Sequence, residues 1–291
     1  MPADSRPVLP SVLTLDTPHG PLVFGGRCGI MAVLNVTPDS FSDGGRFSDA
    51  AAAADEALRL AADGADVIDV GPESTRPGAA DVDPDEQIRR AVSVIAAARQ
   101  RGLTIPLSID TRSAVVAEAA LDAGADLVND VSGGTHDAAM PKLLARRRVP
   151  FVVMHMQGTP RTMQNDPKYD DVVDAVSRFF IQRAEALGDA HVDVGRMIVD
   201  PGLGFGKTRE HNLELLAGLP KLCGRWPVLV GPSRKRFIGD ITGEAEASRR
   251  IFGTAAAVAH CALAGAGMVR VHDVKAMRQV VDVSQAIRTA S

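Results

Sequence analysis

The chain has 291 residues, 45% of them hydrophobic and 4% aromatic, with 32 basic and 36 acidic side chains for a net charge of −4. That apolar share excludes disorder, and the balanced charge with few aromatics argues against a nucleic-acid or membrane-surface partner. Three cysteines (Cys28, Cys223, Cys261) without a C-x-x-C pair point to a reducing, cytoplasmic setting, and neither a signal peptide nor an apolar membrane span is expected.

Residues 1–28 form an extension in which Leu13–Phe24 reads as a hairpin around Pro18-His19-Gly20, suited to closing the bottom of a barrel. Residues 29–291 then alternate short β-branched runs with alanine-rich segments. Strands are expected at Gly29–Asn35, Asp66–Val70, Pro106–Asp110, Asp126–Asn129, Pro150–His155, Met197–Asp200, Pro227–Gly231 and Met268–Val271. A helix over Ser48–Asp63 stops at Gly64. Another starts at Pro84 behind Asp83 and stops at Gly102. The endings "AADGAD", "LDAGAD" and "ALAGAG" repeat this helix-stop, strand-start punctuation. Eight such units predict one α/β domain, a single (β/α)8 barrel; a doubly wound open sheet is the competitor.

In a barrel of this kind the active site lies at the carboxyl ends of the strands. Those ends carry Asn35, Asp69, Asp110, Asn129 with Asp130, His155, Asp200 and, on the last strand, Arg270 with His272; Ser233 and Lys235 follow the seventh. Any one of these alone would read as a cap, a turn former or a solvated group. Asp110, Asn129 and Asp200 supply acceptors and Lys235 a donor, a set matching a pterin or guanine ring with its N–H beside NH2. Arg270 and His272, two apart on one strand, suit a phosphate or pyrophosphate. Asn35 offers a neutral oxygen to a Mg²⁺ held mainly by phosphate and water. Asp43 and Arg76 sit in Gly- and Pro-rich loops fit for lids.

The stretch "DPGLGFGKT" (Asp200–Thr208) resembles a nucleotide loop but has neither the P-loop nor the G-x-G-x-x-G spacing. It reads instead as the turn after the sixth strand. Asp200 faces the ligand, Phe205 forms an apolar wall, and Lys207 is a solvated or capping residue.

Taken together, "NVTPDSFSDGG", "GPESTRPGA", "SIDT", "NDVSGG", "MHMQGTPRTMQ", "DPGLGFGKT", "GPSRKRFIG" and "RVHDV" resemble the motifs of bacterial dihydropteroate synthases, in family order from residue 31 to 274. The resemblance implies a barrel, usually homodimeric and Mg²⁺-dependent. Such an enzyme joins p-aminobenzoate to 6-hydroxymethyl-7,8-dihydropterin pyrophosphate, giving 7,8-dihydropteroate and pyrophosphate. It implies that Asp110, Asn129, Asp200 and Lys235 hold the pterin, and that Asn35, Arg270 and His272 hold the pyrophosphate, Asn35 on Mg²⁺. It further implies that Thr75, Arg76, Pro77, Phe205, Ser233 and Phe41 shape the p-aminobenzoate pocket, which sulfonamides also enter, and that Phe41 and Asp43 come from the first loop. Asp110, Asp200, Lys235, Asp43 and Arg76 would carry the catalysis.

Two positions depart from the family pattern. Pro72 replaces a second glycine, removing an amide donor and restricting Gly71. Arg236 follows Lys235 where some members have serine, and would hold the aminobenzoate carboxylate if it points inward. The rival readings are a methyltetrahydrofolate-type methyltransferase barrel, which needs no pyrophosphate clamp, and a catalytically silent pterin-binding paralogue, which would have lost loop or clamp residues.

Overall fold

The computed structural model describes residues 12–36, 46–73, 82–159 and 162–290. Two short antiparallel strands, β1 (Leu13–Leu15) and β2 (Leu22–Phe24), come first. Eight parallel strands follow: β3 (Gly29–Asn35), β4 (Val67–Gly71), β5 (Leu107–Asp110), β6 (Leu127–Asp130), β7 (Phe151–Met154), β8 (Met197–Asp200), β9 (Leu229–Val230) and β10 (Met268–Val271). They run side by side in chain order from β3 to β8, and β10 pairs with both β3 and β9. A bridge between Val199 and Val228, with Val199 N–H donating to the Pro227 carbonyl at 2.9 Å, joins β8 to β9 and closes the ring. An open sheet would leave two edges; here both outer strands of the ladder meet.

The helices outside the ring are α1 (Arg46–Ala62), α2 (Pro84–Gln100), α3 (Ala114–Asp122), α4 (Met140–Arg147), α5 (Val172–Asp189), α6 (Arg209–Ala217), α7 (Leu219–Leu222), α8 (Arg236–Thr242), α9 (Ile251–Leu263) and α10 (Val274–Thr289). Their ends follow local chemistry. Asp83 accepts from the Asp85 N–H ahead of Pro84, which begins α2. Thr208 and His211 form a reciprocal capping pair at the start of α6. β9 is shorter than expected: Pro227 has no N–H to donate, and Pro232 follows closely behind.

Alternation along the strands divides the core in two. Ile30, Ile68, Ile109, Val128, Val153, Val199, Val230 and Val269 face outward into the helices. Met31, Val67, Leu127, Val152, Ile198, Leu229 and Met268 form the lowest inward layer, packed against Leu15, Leu22 and Phe24 of the hairpin. Full burial of each such side chain is worth about 1.5–3 kcal/mol. The hairpin is also tied by polar contacts. His19 approaches Asp126 Oδ1 through its backbone N–H (3.3 Å) and Nδ1 (2.9 Å). The same fully buried carboxylate accepts from Arg99 Nη2 (2.5 Å) and the Leu107 N–H (2.8 Å). The apolar plug leaves only the opposite end of the barrel open to chemistry.

Candidate active site

Side chains on a strand recur on one face every second residue. Two positions above the apolar layer therefore stand Val33, Asp69, Asn129, Asp200 and Arg270. Asn35 and His272 lie two positions further along their own strands, and Asp110 two above buried Ser108. One inward face thus carries hydrocarbon at the bottom and hydrogen-bonding groups at the mouth.

The densest contacts surround Arg270. Its Nε donates to Asp69 Oδ2 at 2.7 Å and its Nη2 to Asp110 Oδ2 at 2.9 Å. Asn129 Nδ2 donates to the same Asp69 oxygen at 2.9 Å. All three partners of this network are buried. Burial pushes the Asp110 carboxyl up to about 7 against the pull of Arg270, with Asp69 adding repulsion. Burial alone would lower Arg270, but Asp69 and Asp110 outweigh it and hold the guanidinium firmly charged. The second oxygens, Asp69 Oδ1 and Asp110 Oδ1, are buried without a hydrogen-bond partner among the described residues. An unmatched buried acceptor is costly, so two of them mark where donors of a ligand belong. The sequence reading pairs Arg270 with His272 on the anion; the structure ties Arg270 to the carboxylate end of the mouth as well. Asp69 is a site residue that the reading placed at a strand end but left without a role. Its inward register, two residues before Gly71, was the available signal.

Asp200 sits on the same mouth, within electrostatic reach of Arg270, Lys235 and Lys207. Its Oδ1 accepts from the Gly202 N–H at 2.7 Å. Burial raises its pKa, and that hydrogen bond and the three cations oppose the rise. The turn behind it needs its glycines. Gly202 has φ +65°, and a Cβ there would lie 2.1 Å from the His155 carbonyl oxygen; at Gly206, φ +62°, a Cβ would lie 2.6 Å from that of Gln157. The turn is pressed edge-on against the segment after β7.

Lys207 corrects the sequence reading, which made it a solvated or capping residue. It is 3% exposed, and its Nζ contacts His155 Nδ1 (3.0 Å), the His155 carbonyl (3.3 Å) and the Phe205 carbonyl (2.9 Å). Three acceptors match the three donors of an ammonium. Burial works the other way and lowers the amine to about 7, with Asp200 resisting and Lys235 assisting. His155 is pushed down to about 3 by burial and then by Lys207, so its Nδ1 is an acceptor and its ring neutral. Nothing in the local sequence reveals that the glycine turn folds this lysine inward.

Beyond β9, Ser233 Oγ lies 3.0 Å from His272 Nδ1 and accepts from the His272 backbone N–H at 3.2 Å. Lys235 Nζ stands 4.4 Å from the centre of the Phe205 ring, joining a pterin-type donor to the apolar wall. Arg236 points away, with its side chain 89% exposed and near Asp240, so the inward-pointing role is not met. Asn35 Oδ1 is half-buried beside Gly71. Pro72 is buried, and its carbonyl accepts from Arg90 Nη1 at 3.1 Å. Glu73, another residue without a sequence-assigned role, accepts from the Val82 N–H at 2.8 Å and pairs with Arg112 at 3.3 Å, pinning both flanks of the second loop. Phe41, Asp43, Thr75, Arg76 and Pro77 lie outside the described residues.

The model of a family described as pterin binding enzyme matches residues 31–272. The chain belongs to that family. A dihydropteroate synthase of Synechocystis sp. is 44% identical over 273 residues, 93% of this chain and 94% of the relative. A solved Xanthomonas albilineans dihydropteroate synthase with 4-aminobenzoic acid superposes with a TM-score of 0.88 at 43% identity, covering 96% of this chain and 99% of the other. Another structure of the X. albilineans enzyme, in complex with 7,8-dihydropteroate, gives 0.83 at 40% identity over 95% and 99%. Within the family these are synthases, so the chain is a transferase of folate biosynthesis. No helix among the described residues is long and apolar enough to cross a membrane.

Proposed function

We propose that the barrel mouth joins p-aminobenzoate to 6-hydroxymethyl-7,8-dihydropterin pyrophosphate by a dissociative displacement. The observation that carries this reading is the pair of buried, unmatched carboxylate oxygens on Asp69 and Asp110, beside Asp200 and Asn129. A pterin presents N–H and NH2 donors on one flat edge and supplies what those oxygens lack. Asp110, Asn129, Asp200 and Lys235 hold the ring, with Asp69 and Arg270 fixing Asp110. Arg270, His272 and Asn35 receive the pyrophosphate.

The bond from the pterin methylene carbon to the pyrophosphate oxygen breaks first, and the electron pair leaves with the anion. The electron-rich pterin spreads the positive charge, and the carboxylates of Asp110 and Asp200 stabilise it. The arylamine nitrogen then forms the new bond to carbon and releases its proton. Phe205, Thr75, Arg76, Pro77, Phe41 and Ser233 shape its pocket, where sulfonamides compete. Asp43 and Arg76 act from the loops to exclude water. No side-chain nucleophile takes part.

A metal finds limited support in the protein itself: no group of three His, Cys, Asp or Glu side chains able to hold one occurs among the described residues. Asn35 would hold a Mg²⁺ bound mainly through phosphate and water, and such an ion would supply charge neutralisation to the leaving anion. A homodimer is supported by α8 and α9, which pack together and expose Ile241 and Phe252. A cytoplasmic location fits three free thiols, with Cys28 pushed to about 12 and Cys223 to about 11 by burial.

The deciding experiment mixes the protein with both substrates and Mg²⁺ and detects dihydropteroate by mass spectrometry and pyrophosphate by a coupled assay. Stoichiometric formation of both is expected. Pterin binding without either product would instead favour the silent paralogue, and methyl transfer from methyltetrahydrofolate the other barrel.

A further inference from the structure

The function proposed above gives no role to the motif at residues 154–164 after β7, yet this stretch lies along the glycine turn that carries Phe205. Three consecutive carbonyls of that turn each accept one side-chain hydrogen bond. Gln164 Nε2 donates to the Gly204 carbonyl at 2.7 Å, Lys207 Nζ to that of Phe205 at 2.9 Å, and the Tyr169 hydroxyl to that of Gly206 at 2.8 Å. Two of the donors belong to the segment between β7 and α5. The third, Lys207, also contacts His155 at the start of that segment, through Nδ1 (3.0 Å) and the carbonyl (3.3 Å). From the α6 side, Asn212 Oδ1 accepts from the Gly204 N–H at 2.7 Å.

The segment is itself anchored. Met163 is buried and its N–H donates to the Thr159 carbonyl at 2.7 Å. Tyr169 packs on the outer core, with its ring edge-on to His211 at 4.9 Å between centroids. Phe205 differs. It is half-buried and is not among the side chains of either hydrophobic cluster, and its ring lies 4.4 Å from Lys235 Nζ. Core packing therefore does not fix this ring, and its place follows from the backbone that carries it. That backbone runs through Gly204 at φ +81° and Gly206 at φ +62°. Glycine reaches such angles without strain but has the most freedom to leave them, so a turn built this way is held by bonds from outside.

We propose that Gln164, Tyr169 and Lys207 are positioning residues that act through Phe205: by fixing three successive carbonyls they set its ring as the wall for p-aminobenzoate. The proposal rests on the assignment of Phe205 to the p-aminobenzoate pocket. Of the pterin groups, Asp110 and Asn129 stand on other strands, and Asp200 is held by the Gly202 N–H, ahead of the braced carbonyls. The three bonds therefore bear on one substrate and not on the other.

The test is steady-state kinetics of the full chain with both substrates and Mg²⁺. Tyr169→Phe removes the hydroxyl and leaves the ring against His211. Gln164→Met removes the amide donor at an exposed position. Each is expected to raise KM for p-aminobenzoate about 3- to 10-fold, the scale of one lost hydrogen bond. Turnover and KM for the pterin pyrophosphate should change by less than about 2-fold, the pattern of lost binding without lost catalysis. In a Phe205→Ala background the wall is already gone, and Tyr169→Phe adds less than about 2-fold. A general loosening of the fold would raise both KM values and add its full factor in both backgrounds, and either result overturns the proposal. So does an unchanged p-aminobenzoate KM in either single variant. Native protein that forms no dihydropteroate overturns the functional reading itself, and the proposal with it.

Discussion

Asp200 and Lys207 lie seven residues apart on one turn, and both are buried charges with different tasks. Asp200 stands on the inward face of β8, where the proposed displacement would develop positive charge on the pterin. Asp200→Asn keeps the shape and removes the charge, and turnover falls by about 100-fold or more, the scale of one preorganised electrostatic group. Steady-state kinetics check this; a loss under tenfold would remove Asp200 from that role. Lys207 contacts protein groups and holds the turn. Its amine loses its proton near pH 7 in the folded chain, against an ordinary value of 10.5. Between those limits the unfolded chain binds more protons, so this residue makes stability rise with pH. Asp110, raised by burial to about 7, works in the opposite sense below that window, and burial pushes Asp200 in the same direction as Asp110. Melting temperatures of the native protein and Lys207→Met, measured from pH 7 to 9.5, should differ in slope, the variant lacking the upward component. Equal slopes would mean that the folded amine keeps its proton. At this scale the sequence was legible wherever strand register decides orientation, as at Asp110, Asn129 and Asp200. It was silent where a glycine turn decides, as at Lys207, and at Arg236, whose helix directs it to solvent.

The elements were legible almost to their ends, because strands covered on both faces are apolar and the turns between units repeat their glycines. β3, β8 and β10 span the expected residues, whereas β9 contracts to Leu229–Val230 between prolines. The hairpin was legible as a turn between short apolar runs, but its anchor was not: Asp126 collects His19, Arg99 and Leu107 from three distant segments. Phe24 belongs to this plug and packs so closely on Gly267 that a Cβ there would lie 2.8 Å from its ring. Phe24→Ala opens a cavity under the lowest layer and costs about 3–5 kcal/mol. Chemical denaturation measures this. Pterin affinity of the folded fraction should stay unchanged, since the mouth lies at the other end; a parallel loss of affinity would show that the two ends are not independent.

For the whole molecule, closure of the ring brings groups from Asn35 to His272 to one opening, and this explains why residues so far apart in sequence form one constellation. The outside of the ring has its own marked face. Phe252 is 87% exposed on α9, with Ile241 on neighbouring α8. Phe252→Asp is expected to convert the proposed homodimer to monomer in sedimentation velocity, with the circular dichroism spectrum unchanged; a monomeric native protein would remove the premise.

The ring is not equally strong all round. β9 contributes two residues to its ladder with β10, and its other side is held to β8 through the Val199–Val228 bridge. Asp200 ends one of those strands and Lys235 follows the other, so the thinnest seam of the ring runs between two of the four groups proposed to hold the pterin. A slight spreading of that seam would shift both at once while the remaining strands stayed in place.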